Sequence, residues 1–102
     1  MNNYKNIDDF TDKDKEKFFK KIGKNVKRLR KKHKLSQMAL SNLLGHKSTS
    51  LVSGAEIYYN KQHFSLEHLC LIAYILDEDI IEFFKWDNNK YFYITSFIFQ
   101  NI

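Results

Sequence analysis

The chain has 102 residues, a formal net charge of +5, 43% hydrophobic and 16% aromatic residues, three glycines, no proline and one cysteine. That length suits one domain with a modest core, and the single cysteine excludes an intramolecular disulfide. No apolar run approaches the roughly 18 residues that span a bilayer, and the polar opening MNNYKNIDDF lacks a signal core, so a cytoplasmic location is expected.

With so little glycine and no proline, the composition favours helices joined by short polar turns. Residues 1–10 read as a mobile arm. Thr11 or Asp12 can cap a long helix through Lys32, in which Phe18, Phe19, Ile22, Val26 and Leu29 recur at steps of three and four. Twelve of the seventeen Lys and Arg residues fall between Lys13 and Lys34, against only Asp14 and Glu16. Asp77, Glu78, Asp79 and Glu82 make the later chain acidic, so one basic face is expected.

His33 and Lys34 end the first helix with cations suited to its dipole. Ser36 can cap a second helix burying Leu40, Leu43 and Leu44. Gly45 supplies the permissive backbone for leaving it, and Ser48 or Thr49 can cap a third helix with Leu51, Val52 and Ala55 inward. Ile57 to Phe64 reads as a loop. Ser65 can cap a fourth helix whose Leu66, Leu69, Ile72, Ala73 and Leu76 again repeat at three and four, with Cys70 a small buried hydrophobe. Asp77 to Asp79 start a fifth, short helix through Phe84 that buries Ile80 or Ile81 and Phe83 or Phe84. Beyond it, Asp87-Asn88-Asn89 signals a turn, and Tyr91 to Phe99 has the composition of a strand. The expected organisation is an arm over 1–10, a domain over 11–85 and an extension over 86–102. The extension would form a hairpin, pair with a second copy to make a homodimer, or fold back on the core.

The stretch LSQMALSNLLGHKSTSLVSGAE, Leu35 to Glu56, has the layout of a helix-turn-helix, which makes double-stranded DNA the leading partner. Five segments carry a wider resemblance: Ile22-Gly23 with Val26 and Leu29-Arg30; Leu35-Ser36-Gln37 with Leu40 and Gly45; Val52-Ser53-Gly54-Ala55-Glu56; Ser65-Leu66-Glu67 with Leu69; and Ile72-Ala73 with Leu76. In this order they resemble the Cro and lambda-repressor type of helix-turn-helix domain, the XRE family, over roughly three fifths of the chain. The resemblance implies an all-α fold of five helices and a small bacterial or phage transcriptional regulator, a repressor, binding as a dimer. It also implies that Gln37 bonds a DNA phosphate and that Glu56 pairs with Arg30 or another first-helix cation. The chain departs from the family in a longer Gly45 to Val52 connection, a longer loop without proline before Ser65, and Lys34 where glycine often ends the first helix.

Thr49, Ser50 and Ser53 are expected on the outer side of the third helix, able to reach base edges or phosphates, with Lys47 and Ser48 nearer the DNA backbone. Lys61 and the basic first helix would add sequence-independent affinity. No Arg, Asn or Gln stands at the reading positions, so direct readout should be modest. His63, His68 and Cys70 match no metal-ligand spacing, and no phosphate loop, Ser-His-Asp order or paired carboxylates suggest an enzyme; no cofactor is expected. The alternative function is an antitoxin or adaptor on the same fold, engaging a protein partner through the aromatic tail.

Overall fold

A computed structural model of the protein describes residues 3–86. Four α-helices carry the architecture: α1 (Asp12–Lys32), α2 (Gln37–Leu43), α3 (Ser50–Glu56) and α4 (Leu66–Leu76). Short 3-10 helices lie at Ile7–Asp9, Tyr59–Lys61 and Ile80–Phe84. Among these residues the expected mostly-α class holds, with a 3-10 helix where a fifth α-helix was expected. The strand or hairpin expected in the extension falls, from residue 87 onward, outside the described residues.

Local chemistry fixes the helix ends. Thr11 Oγ accepts the Asp14 amide at 3.3 Å while Asp14 Oδ2 accepts the Thr11 amide at 2.8 Å, a reciprocal capping box that starts α1. Ser36 Oγ accepts the Ala39 amide at 3.0 Å to start α2. At the start of α3, Ser48 Oγ accepts the Ser50 amide at 3.3 Å, whereas the Thr49 side chain makes no capping bond. Ser65 Oγ accepts the His68 amide and the Ser65 amide donates to His68 Nδ1, both at 3.1 Å. That box needs a neutral ring nitrogen, and burial, followed by the charges of His46 and His63, lowers the His68 pKa from its usual 6.5.

α1 and α2 end alike. Lys34 (φ 58°) and Gly45 (φ 86°) turn the chain through the left-handed region, and the amides of Leu35 and His46 reach back to Arg30 O at 3.1 Å and Ser41 O at 2.9 Å. Glycine adopts this conformation freely; on Lys34 it costs on the order of 1 kcal/mol.

Ile22, Val26 and Leu29 of α1 form one core with Leu40, Val52, Ala55, Phe64, Leu69, Ile72, Leu76 and Phe83. Gly23 lets α1 touch the end of α3 backbone to backbone, since a Cβ there would stand 2.5 Å from Glu56 O and 2.6 Å from Ala55 O. The buried Asn25 donates from Nδ2 to Phe83 O and Lys85 O, each at 2.9 Å, pinning the Ile80–Phe84 turn to the middle of α1.

Several expected core residues are outside the core. Leu43 and Leu66 are exposed, Ile80 and Ile81 are both partly exposed, and Cys70 is exposed. The physical reason is coverage. α4 packs through Leu69, Ile72, Ala73 and Leu76, so Cys70, Leu71 and Tyr74 fall on its outer side, and the Ile80–Phe84 turn buries Phe83 fully. The loop after α3 is also more structured than its sequence suggests. Tyr58, Asn60 and Lys61 all take left-handed backbone, with φ of 57°, 52° and 64°.

Candidate nucleic-acid interface

The site is built on a buried ion pair. Arg30, one α1 turn beyond Val26, donates Nε to Glu56 Oε2 at 2.7 Å and Nη2 to Glu56 Oε1 at 3.1 Å, while its Nη1 reaches Leu35 O at 2.8 Å. Both side chains are almost fully buried. The expected pairing of Glu56 with Arg30 is therefore present, in the planar two-bond geometry that suits a guanidinium. Gln37 completes the group by donating Nε2 to Glu56 Oε1 at 2.9 Å. Three side chains thus lock the C-terminal end of α3 to the end of α1 and the start of α2.

This arrangement qualifies the reading of Gln37 and fixes Gly54 in place. Gln37, read as an outward phosphate ligand, commits one amide hydrogen inward and keeps the other. Gly54 is buried, and a Cβ there would collide with the Gln62 side chain. Gln62 occupies the space that a residue larger than glycine would fill.

The opposite end of α3 is open. Lys47, Ser48 and Ser50 are exposed and Thr49 and Ser53 are half-buried. Ser48 Oγ donates to Ser50 Oγ at 3.1 Å and Ser53 Oγ to Ser50 O at 3.4 Å, leaving a low ridge of hydroxyls beside one ammonium. The structure groups Lys47, Ser48, Thr49, Ser50 and Ser53 together. It sets Gln37 at the far end of α3, about 10 Å along the helix. Lys61 belongs to a different place, beside Asp12, Lys13 and Lys15 at the start of α1.

Charge is divided sharply over the molecule. Residues 17–55 contain no Asp or Glu, and the next acid, Glu56, is neutralised by Arg30. Around α3, then, no exposed carboxylate opposes an anion from within that stretch. On α1, Lys13, Lys17, Lys20, Lys24, Lys27 and Lys31 are exposed and recur at steps of four and three, forming one stripe roughly a quarter turn from Gly23 and Arg30. Lys20 meets Glu16 at 3.1 Å; no carboxylate among the described residues pairs with the other five. The basic helix thus presents a band beside the side that holds α3.

Acidic residues cluster at the other side. Glu78 accepts from Lys32 Nζ at 2.8 Å and lies 2.9 Å from His33 Nε2, and the bonds from Lys32 and then His33 lower its pKa. Glu82 sits 2.6 Å from Lys85 Nζ and 3.9 Å from Arg28 Nη2. Among the described residues no three His, Cys, Asp or Glu side chains cluster as a metal would require, and no helix is long and apolar enough to cross a membrane.

Comparisons with protein-family models, with curated proteins and with solved structures returned no match. The chemistry of the surface therefore rests on its own residues. A short helix held at its Glu56 end by Arg30 and edged at the other by hydroxyls and Lys47 can donate to and accept from polar edges, its one acid neutralised in the buried pair.

Proposed function

We propose that the protein binds double-stranded DNA as a small helix-turn-helix regulator of the Cro and lambda-repressor type, acting as a repressor in the cytoplasm. In this reading the four α-helices and the Ile80–Phe84 turn are the five helices of that fold, and α3 enters the major groove. The observation that carries it is the contrast between the two ends of α3. One end is fixed to α1 and α2 through Arg30, Glu56 and Gln37; the other offers Thr49, Ser50 and Ser53 within a stretch, residues 17–55, that has no Asp or Glu. Lys47 and Ser48 contact phosphates, the remaining Gln37 amide hydrogen serves another, and Lys61 adds charge. A bidentate side chain gives about 1–3 kcal/mol of discrimination per base, and none stands on this edge. Selectivity then comes from paired half-sites in a homodimer and from DNA shape, with the extension as the dimer contact.

A salt titration with duplex DNA tests the class of function. Binding whose logarithm falls linearly with the logarithm of salt is expected, with Lys47→Gln lowering that slope by about one. Absence of binding at low salt removes the DNA reading and leaves the antitoxin or adaptor class. Selection from a random duplex library then yields the site, its symmetry and the half-site spacing. Thr49→Ala and Ser50→Ala should shift the selected sequence, whereas Gln37→Ala should weaken binding to all sites.

A further inference from the structure

A second site lies away from the α3 edge. The start of α1 and the loop after α3 enclose an open-sided cleft of about 620 Å³, within the range of small-molecule sites. Its wall is aromatic. Phe19 stacks on His63 with centroids 4.0 Å apart and lies nearly parallel to Tyr58 at 5.8 Å, and Tyr58 and His63 are 6.4 Å apart. Lys13, Lys15 and Lys61 stand around this wall, with Asp12, Glu16 and Asn60 between them.

The backbone that builds the cleft is unusual. Tyr58, Asn60 and Lys61 are left-handed, which glycine would adopt without strain, so the ring of Tyr58 and the ammonium of Lys61 are held here against conformational preference. His63 is steadied by its Nδ1 contact with Lys61 O at 3.3 Å. Phe19 is half-buried against the core, so the ring cluster has a firm base while His63 remains exposed.

We propose that this cleft binds a mononucleotide. The planar base stacks on the exposed His63 ring, with the half-buried Tyr58 ring, tilted 36° to it, bordering the platform, a use of aromatic surface that every base permits. The phosphate lies among Lys13, Lys15 and Lys61, whose ammonium groups act as mobile point charges. Asp12 and Asn60 face the polar edge of the base. Asp12 is an acceptor and Asn60 offers both functions, so the pair suits a purine edge carrying N–H donors. Because Tyr58 follows the end of α3 by two residues, an occupied cleft stiffens the segment that leaves α3. Lys13 and Lys61 also belong to the basic surface of the DNA reading; the aromatic wall of Phe19, Tyr58 and His63 does not.

The test is titration of the full chain with AMP and GMP, monitored by amide and ring resonances, alongside adenosine, inorganic phosphate and a short single-stranded oligonucleotide. Saturable shifts centred on Phe19, Tyr58 and His63 are expected, at least tenfold weaker for adenosine and absent for phosphate alone. Tyr58→Ala and Lys15→Gln should each weaken binding roughly tenfold. Both variants must keep the dispersed spectrum of the folded chain; if Tyr58→Ala loses it, Lys15→Gln decides alone. No shift with either nucleotide at millimolar concentration overturns the proposal. So does equal response to phosphate, which marks an adventitious ion only, or response to the oligonucleotide alone, which assigns the cleft to a nucleic-acid strand. Duplex binding measured on Tyr58→Ala separates the outcomes: its retention alongside lost nucleotide binding belongs to the cleft.

Discussion

Two ion-paired junctions leave α1 near its C-terminal end, and they differ in kind. Toward α3, Arg30 and Glu56 are buried and joined by two bonds, with Gln37 as a third partner. Toward the end of α4, Glu78 meets Lys32 and His33 at the surface, where Lys32 remains largely in water. The two are only a few residues apart on one helix, yet burial changes what each contributes. A buried pair is paid for in desolvation and punishes loss of one partner severely; a surface pair is screened and yields little. The α3 junction therefore sets geometry, whereas the α4 junction trims stability.

That contrast can be broken most forcefully at Glu56. Glu56→Ala should cost about 3–5 kcal/mol in urea unfolding because Arg30 is left buried without its carboxylate, while Lys32→Ala should cost less than about 1 kcal/mol. Equal costs would dissolve the distinction. Next in size is the backbone contact beneath the buried pair. Gly23→Ala drives a methyl against the carbonyls of Ala55 and Glu56 and should lose about 1–3 kcal/mol; Gly54→Ala meets a Gln62 side chain that can swing away, and should lose less. Thermal melts of the two variants give the order directly.

Between the junctions, Lys34→Gly relieves the left-handed turn and should gain on the order of 1 kcal/mol, with no change in either ion pair. The smallest effect is that of pH. Glu78 is held below its ordinary 4.5, so its contribution is complete above that value and disappears as pH falls through the lowered pKa. His68 is held below 6.5, and its neutral form accepts the Ser65 amide; that contribution is complete above 6.5 and is likewise lost on acidification. Glu78→Gln should flatten the acid limb of a pH titration of stability, and His68→Gln the limb nearer neutrality. An unchanged profile in both variants would place the acid sensitivity elsewhere.

The sequence is informative wherever a signal is local. Thr11, Ser36 and Ser65 carry the side-chain oxygens of three caps, Gly45 permits one exit, and the three-and-four spacing of Ile22, Val26 and Leu29 marks the core face. The Arg30 to Glu56 bond was legible through family resemblance. Contacts between distant segments were not. Nothing near Asn25 announces that its amide will meet the carbonyls of Phe83 and Lys85, and nothing near Gly54 announces Gln62. Cys70 and Leu66 look buried because apolar residues surround them in sequence; their exposure depends on which side of α4 finds a neighbour. The Phe19, Tyr58 and His63 cluster had only the aromatic composition of the loop as a trace, because left-handed backbone at Tyr58 and Lys61 has no residue signature of its own.

The Asn25 amide has a mechanical consequence. It grips the chain at Phe83 and Lys85, and the Trp86 ring sits 4.9 Å from Lys21 Nζ on the same helix. The chain at Lys85 and Trp86 is thus tied to the middle of α1, close to the Gly23 contact with α3. Whatever attaches to the chain beyond Trp86 is therefore coupled to the helix on which α3 is mounted.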